Sequence, residues 1–300
     1  MNKFQGLAVA LATPFTLTGA VDLPAFKRLV RHVVHGGVDF LVVLGSTGEA
    51  ATLNDAERDA LILACRDEAG GKPVVVGAGS SSTAQAASWS ARAQYLGADG
   101  VLVVTPPYNK PTPSGLVAHY QAIADAAPGL PIIVYNVPGR TGQNLVPSTL
   151  SRLWDNPSVV AVKESSGNLE QIAEMIRTLP PGKTLLAGDD NLAVQSIAAG
   201  AKGLVSVLGN LLPRETKALV TAALARKMSE AQEHQTRLMP LIDALFMESN
   251  PIPLKAGLKF LGLGEDVLRL PLTQPEPATR QRLAEALCLA ADGTLPGITL

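Results

Sequence analysis

Eight short runs of Val, Ile, Leu and Ala recur along the chain, and segments with helical spacing of apolar residues separate them. The runs occupy residues 7–13, 40–44, 74–77, 101–105, 132–135, 159–163, 185–188 and 203–206. Continuously apolar strands are typical of parallel sheets covered on both faces. Strands that alternate with helices imply βαβ units, and eight such units favour a closed (β/α)8 TIM barrel over an open sheet.

The segments between the runs carry the expected helix boundary signals. Asn54 and Ser82 come directly before helical patterns, where their side chains can cap the first turn. Gly97 and Gly200 suit helix C-termini that lead into the next strand, as does the pair at residues 36–37. These signals support the alternation of strands and helices.

About 90 residues follow the eighth run, which is more than one closing helix requires. Apolar residues at helical spacing, punctuated by prolines, predict helices over residues 213–228, 229–245, 253–261 and 277–291. We therefore predict a barrel over residues 1–225 and a C-terminal helical region over residues 226–300 that packs on the barrel.

Composition excludes several classes of partner. The formal net charge of −1 gives no basic surface for nucleic acid or an anionic membrane. Cys65 and Cys288 lie far apart and predict free thiols in a reducing compartment, not a disulfide or metal site. His32 and His35 lack a carboxylate that would complete a metal-binding pattern. No apolar run approaches the roughly 18 residues of a membrane span, so a cytoplasmic protein is expected.

Lys163 ends the sixth apolar run, at the position where a TIM barrel carries its chemistry. A lysine at a strand end most often extends to solvent. Burial, however, disfavours the charged form of an amine, and a buried lysine can attack a carbonyl carbon to form a Schiff base. Lys163 is therefore a candidate nucleophile.

Other strand ends carry groups that could bind an acidic carbonyl compound. Ser46 and Thr47 lie between two glycines after the second run, where hydroxyls and backbone N–H groups could hold a carboxylate. Tyr108 follows the fourth run, and Tyr135 ends the fifth. Arg140 comes five residues after Tyr135, and its guanidinium could bind a carboxylate through two hydrogen bonds. Each feature alone is common in turns or packing, but their shared location predicts an aldolase-type site with Lys163.

Five motifs together resemble those of the dihydrodipicolinate synthase family of pyruvate-dependent class I aldolases. They are Gly45-Ser46-Thr47-Gly48-Glu49, residues 135–142, Val162-Lys163-Glu164, Gly188-Asp189-Asp190 and Asn250-Pro251-Ile252-Pro253. The resemblance implies 4-hydroxy-tetrahydrodipicolinate synthase activity, the condensation of pyruvate with L-aspartate 4-semialdehyde in diaminopimelate and lysine biosynthesis. It also implies a homotetramer built from two tight dimers. The iminium is its own electron sink, so no metal or organic cofactor is expected.

The resemblance assigns four catalytic residues. Lys163 would form the Schiff base with pyruvate, and Tyr135 would donate and accept protons. Ser46 and Tyr108 would relay those protons to solvent, with Tyr108 contributed by the neighbouring subunit.

The resemblance also assigns the binding residues. Thr47 would bind the pyruvate carboxylate, Arg140 the carboxylate of the semialdehyde, and the main chain around Gly188 and Val205 would line the pyruvate pocket. The pairing of Ser46 with Thr47 is that of the N-acetylneuraminate lyase branch, but that branch lacks an arginine at the position of Arg140. We therefore favour the synthase branch.

Two alternatives stay open. Another pyruvate-dependent aldolase, acting on a sugar acid or a hydroxy-oxo acid as N-acetylneuraminate lyase or 4-hydroxy-2-oxoglutarate aldolase does, would keep Lys163 and Tyr135. A non-catalytic sensor or binding protein on the same barrel would be expected to have lost the lysine or the relay hydroxyls, and this chain retains them all. Asp55, Arg58 and Pro107 occupy the positions of the family's lysine-binding residues, so weak or absent inhibition by lysine is predicted.

Three carboxylates near these motifs receive structural interpretations. Asp189 and Asp190 are expected to cap a helix that begins near Asn191, since carboxylates favour helix N-termini. Glu49 is expected to orient the backbone of its turn.

Overall fold

A computed structural model describes residues 3–290 of the protein. Eight parallel strands close into a barrel in chain order. They are β1 (Gly6–Ala10), β2 (Phe40–Val43), β3 (Val74–Gly77), β4 (Gly100–Val104), β5 (Ile132–Asn136), β6 (Val159–Glu164), β7 (Thr184–Ala187) and β8 (Gly203–Ser206). The barrel closes where β1 pairs with β8, with Leu7 opposite Leu204. The predicted fold is confirmed.

Two apolar layers follow from strand alternation. One set of strand residues faces the surrounding helices, and the other fills the interior. The interior set includes Ala8, Phe40, Ile133, Ala161 and Val205. All five are buried, so the barrel is a packed core whose open space lies at its ends.

Nine helices accompany the barrel strands in the part of the chain that the structure describes. They are α1 (Leu23–His35), α2 (Asp55–Glu68), α3 (Thr83–Tyr95), α4 (Pro113–Ala126), α5 (Pro138–Thr141), α6 (Pro147–Leu153), α7 (Leu169–Arg177), α8 (Ala193–Ala199) and α9 (Pro213–Leu224). Asn54 caps α2 through a capping box with Glu57, and Ser82 caps α3. Gly97 and Gly200 follow helix C-termini with positive φ. These boundary predictions are confirmed.

Three helices form the C-terminal region: α10 (Met228–Leu245), α11 (Ile252–Phe260) and α12 (Pro277–Ala290). Helix α9 ends at Leu224, not at residue 228 as predicted, because Arg226 takes a positive φ of 63°. The N–H of Arg226 donates to the carbonyl of Ala223, and that of Lys227 donates to Ala222. These bonds complete a helix C-terminus that no glycine marks in the sequence. The predicted last residue, 291, lies outside the described range, and the division at residue 225 stays a prediction.

The first strand is shorter than predicted. It ends at Ala10, because the side chain of Asn210 takes over its hydrogen bonds. Asn210 Nδ2 donates to the Ala10 carbonyl at 2.8 Å, and its Oδ1 accepts from Ala12 N–H at 3.1 Å. An amide 200 residues away thus satisfies the backbone where the ladder stops.

Candidate active site

Lys163 lies at the C-terminal end of β6. It shares the inner face of its strand with Ala161, and it is 5% exposed. The register of β5 and β6 places Tyr135 directly beside it. Lys163 Nζ lies 4.1 Å from the centroid of the Tyr135 ring. The structure therefore brings the candidate nucleophile and the candidate proton carrier together in a largely buried setting.

Space for the lysine side chain depends on Gly188, directly after β7. A Cβ at this position would lie 2.8 Å from Lys163 Cε and 1.8 Å from Ser165 Oγ. Any larger residue would have to displace one of these side chains. A glycine is needed here for close approach, not for an unusual backbone conformation.

The loop after β2 presents Ser46 and Thr47 to the same end of the barrel. A 3-10 turn covers Ser46–Gly48, and Leu44 and Glu49 on either side have φ values of 61° and 50°. The tight turn buries Thr47 to 4% exposure and leaves Ser46 accessible. Two adjacent hydroxyls are thus held at different depths.

Arg140 lies in the short helix α5. Gly142, in the left-handed region, caps the C-terminus of this helix. Its Nη2 donates to the main-chain carbonyl of Asn250 at 2.8 Å. The side chain of Asn250 donates from Nδ2 to Thr47 Oγ1 at 2.9 Å. One residue of the C-terminal region therefore contacts both predicted carboxylate-binding residues.

A buried ion pair supports the same loop. Lys255 Nζ lies 2.6 Å from Glu49 Oε1, and the two side chains are 0% and 1% exposed. Glu49 Oε2 also accepts from the backbone N–H of Arg269 at 3.1 Å. Burial lowers the pKa of Lys255 to about 8, and the charge of Glu49 opposes that shift. Glu49 thus anchors its turn to helix α11, which goes beyond the predicted local role.

These groups surround a cavity of about 200 Å³. Its lining includes the candidate residues Ser46, Thr47, Tyr135, Arg140, Lys163 and Gly188, together with Asp189, Phe246 and Asn250. An adjoining cavity of about 490 Å³ shares Ser46, Tyr135 and Arg140 with it. The smaller space suits a three-carbon acid at Lys163, and the larger space leaves room for a second reactant.

Asp189 and Asp190 do not cap the following turn as predicted. The Asp190 carboxylate accepts from Ser206 Oγ at 2.5 Å and from the backbone N–H of Val207 at 2.9 Å. Burial raises the pKa of Asp190, and the hydrogen bond from Ser206 opposes that shift. Burial likewise raises the pKa of Asp189, and the charge of Lys163 lowers it. The prediction failed because donors at the end of β8 compete for Asp190 with the local backbone.

Glu164 points away from the cavity, on the opposite face of β6 from Lys163. Its carboxylate accepts from Asn136 Nδ2 at 2.9 Å and from the backbone N–H of Ser166 at 2.8 Å. Burial raises the pKa of Glu164, and these hydrogen bonds oppose the shift. The pair joins β5 to β6 directly behind Tyr135 and Lys163.

Two predicted residues do not line the cavity of this chain. Tyr108 is 90% exposed and has a φ of 73°. Val205 is fully buried in the barrel interior, and Val207, two residues further along, lines the cavity. The sequence interpretation gave no role to Phe246 or Asn250, although Asn250 belongs to one of the five motifs. A polar residue before Pro251 at the start of a helix was the available signal.

The remaining sequence expectations concern metals and membranes. Within residues 3–290, no three His, Cys, Asp or Glu side chains are grouped as metal ligands. His32 Nε2 instead lies 3.1 Å from the carbonyl oxygen of Leu211. Cys65 and Cys288 are both free. None of the helices described here has the length and apolar character needed to cross a bilayer.

A sequence model described as the dihydrodipicolinate synthetase family matches residues 3–290. The chain belongs to this family. A relative from Stenotrophomonas maltophilia, named 4-hydroxy-tetrahydrodipicolinate synthase, is 44% identical over 97% of this chain and 96% of its own length. Dihydrodipicolinate synthase from Thermotoga maritima superposes with a TM-score of 0.94 at 39% identity, over 97% of this chain and 99% of that chain. The enzyme from Cyanidioschyzon merolae with lysine bound gives 0.94 at 40%, with the same coverage.

Membership of the dihydrodipicolinate synthetase family confirms the resemblance inferred from the five motifs. It also confirms the predicted enzyme class, a lyase of the Schiff-base class I aldolase type, and the predicted 4-hydroxy-tetrahydrodipicolinate synthase activity of diaminopimelate and lysine biosynthesis. The expectations of a cytoplasmic location and of no nucleic-acid or membrane partner stay predictions.

Proposed function

We propose that the chain condenses pyruvate with L-aspartate 4-semialdehyde through a Schiff base on Lys163. The observation that carries the proposal is a 5%-exposed lysine beside Tyr135, in a cavity of about 200 Å³. The Lys163 amine adds to the pyruvate ketone, and the carbonyl oxygen leaves as water. Loss of a methyl proton from the iminium gives an enamine, whose carbon adds to the aldehyde. The amino group of the bound aldehyde then attacks the iminium carbon, so that the ring closes and Lys163 is released.

The positions of four residues around the cavity support a separate role for each of them. Tyr135 is the side chain beside Lys163 that can carry a proton to and from the reacting carbons. Accessible Ser46, on the rim of both cavities, fits the relay to solvent. Buried Thr47 fits a site for the pyruvate carboxylate. Arg140, which lines both cavities, fits a site for the carboxylate of the larger reactant.

Tyr108 supports assembly into a tight dimer, and by family resemblance into a tetramer. A 90%-exposed tyrosine in the left-handed region is costly for one chain alone, because its ring remains in water and its backbone is strained. The ring would complete the relay of a second copy, in which Ser46 is accessible. We therefore expect specific activity to fall as the protein dissociates on dilution. Monomers with full activity would contradict this role of Tyr108.

We further propose that lysine inhibits this protein weakly or not at all. Arg58 is 4% exposed, its Nη2 donates to the Gly77 carbonyl at 2.7 Å, and its guanidinium lies 3.8 Å from the Trp89 ring centroid. A fixed cation at this position opposes a second cation by charge repulsion. Titration with L-lysine should leave the rate unchanged, or lower it only at millimolar concentrations. Inhibition at micromolar lysine would contradict the proposal.

The function is tested by borohydride reduction followed by intact-mass analysis, with pyruvate alone and with both substrates. A pyruvyl adduct should form on the wild type and not on Lys163→Ala, and turnover of L-aspartate 4-semialdehyde should accompany it. An adduct without turnover would keep the chain among the pyruvate-dependent aldolases but would indicate that its second substrate is another aldehyde. No adduct would refute the Schiff base.

The role of Arg140 has its own test. Arg140→Leu should raise the KM for the semialdehyde and leave adduct formation with pyruvate intact. If Arg140→Leu impaired adduct formation with pyruvate as strongly as it raised the KM for the semialdehyde, the assignment of Arg140 to the semialdehyde carboxylate would be contradicted.

A further inference from the structure

Asn250 connects the two residues that the proposed function assigns to substrate carboxylates. It is 5% exposed, lines both cavities and lies two residues before helix α11. Its side-chain amide contacts Thr47, 203 positions away, and its main-chain carbonyl contacts Arg140, 110 positions away. Asn250 is thus placed to act on binding through other residues.

The polarity of the contact with Thr47 decides what Asn250 does. A hydroxyl has one hydrogen to donate and two lone pairs that accept. When Asn250 Nδ2 donates to Thr47 Oγ1, one lone pair is occupied and the hydrogen stays available. An available hydrogen is what a carboxylate requires of a hydroxyl that binds it.

We propose that Asn250 is a positioning residue, whose amide N–H directs the Thr47 hydroxyl so that its hydrogen faces the pyruvate carboxylate. The inference rests on the proposed role of Thr47 and adds what holds that hydroxyl in its donating orientation. Only the side chain of Asn250 is involved in this role. Its main-chain carbonyl, which contacts Arg140, is unaffected by substitution of the side chain.

The surrounding structure fixes the two groups relative to each other. Thr47 lies two residues before Glu49, and Asn250 lies five residues before Lys255. The buried ion pair between Glu49 and Lys255 therefore joins the same two segments a second time. Lys255 Nζ also lies 3.9 Å from the Phe15 ring centroid. Two contacts between the segments restrict their relative motion, as a preorganised binding group requires.

The inference predicts that the more conservative of two Asn250 substitutions raises the pyruvate KM more. Asn250→Asp has nearly the same shape as the wild type, but its ionised carboxylate accepts the Thr47 hydrogen and brings a negative charge towards pyruvate. We expect Asn250→Asp to raise the pyruvate KM by about 100-fold, and Asn250→Ala by only about tenfold, the equivalent of one lost hydrogen bond. A merely structural role would make the isosteric Asp variant the milder of the two. The KM for the semialdehyde should change by less than about threefold in both.

A pH series distinguishes polarity from packing. Protonation of the new carboxyl in Asn250→Asp restores a donor to Thr47, so its pyruvate KM should fall towards that of the wild type as the pH falls, whereas that of Asn250→Ala should stay raised. Asn156→Asp is the matched control, because Asn156 lies outside both cavities and bonds to Gln121 and Ser158. The control variant should keep the wild-type KM throughout.

The double variant Thr47→Val/Asn250→Ala separates this inference from the proposed function. Thr47→Val alone should raise the pyruvate KM, and adding Asn250→Ala should raise it no further, because Asn250 acts through the missing hydroxyl. An unchanged KM in Thr47→Val would refute the assignment of Thr47, and the inference with it. A raised KM in Thr47→Val with additive effects in the double variant, or a wild-type KM in Asn250→Asp at pH 7, would refute the role of Asn250 alone.

Discussion

Substituting methionine for Lys255 should destabilise the protein strongly. The change leaves the Glu49 carboxylate 1% exposed, with the backbone N–H of Arg269 as its remaining donor. Breaking a buried ion pair by removing one partner costs about 3–5 kcal/mol. At an unfolding entropy of about 2.1 cal/mol/K per residue, a chain of 300 residues should lose about 5–8 °C of melting temperature. Calorimetry at pH 7, one unit below the pKa of about 8, measures the loss with Lys255 charged.

Two further variants decide whether the unpaired charge is the cause. Glu49→Gln/Lys255→Met replaces the pair with neutral groups of similar size, so it should recover most of the lost stability. Lys227→Met removes a surface pair with Glu230, whose side chains are 64% and 49% exposed, and should shift the melting temperature by less than about 1 °C. A Lys255→Met protein that melts within 1–2 °C of the wild type would refute the reasoning.

Gly188→Ala should reduce the rate of pyruvyl-adduct formation by about 100-fold, because its Cβ would displace the side chain of Lys163; mass analysis after borohydride measures it. Burial lowers the pKa of His119 from 6.5 to about 4, so the unfolded chain binds a proton that the folded chain excludes. Stability should therefore fall as the pH drops from 6.5 to 4, by up to about 3 kcal/mol, and melting curves of His119→Phe should show a smaller fall. Burial raises the pKa of the Cys65 thiol, so iodoacetamide should label half-buried Cys288 first and Cys65 only after denaturation.

Local sequence signals were sufficient to predict the barrel and the position of Lys163 at the C-terminal end of a strand. A buried parallel strand needs a continuous apolar run, and Lys163 ended such a run at the only end where a TIM barrel carries chemistry. Caps such as Asn54 and Ser82 bond to residues three positions away, so the sequence contains both partners side by side. The motifs around these positions then identified the family.

Features that depend on contacts between residues far apart in the sequence could not be predicted from local patterns. Asp190 was assigned to a helix cap because its donor, Ser206, belongs to the next strand and is not adjacent in sequence. The break at Arg226 requires a left-handed residue, which a sequence normally signals with glycine or asparagine. The contact between Asn250 and Thr47 crosses 203 positions, and no local pattern encodes it.

The contacts of helix α11 also set the order in which the active site is completed during synthesis. Lys163 leaves the ribosome about 90 residues before Lys255, which corresponds to roughly 5–20 s at typical elongation rates. During that interval the nascent chain contains Lys163 but lacks Lys255, whose ion pair with Glu49 supports the loop of Thr47. A chain released before Lys255 would therefore lack the ion pair that joins the loop of Thr47 to helix α11. The support of this loop therefore comes from a helix that is synthesised after all eight strands of the barrel.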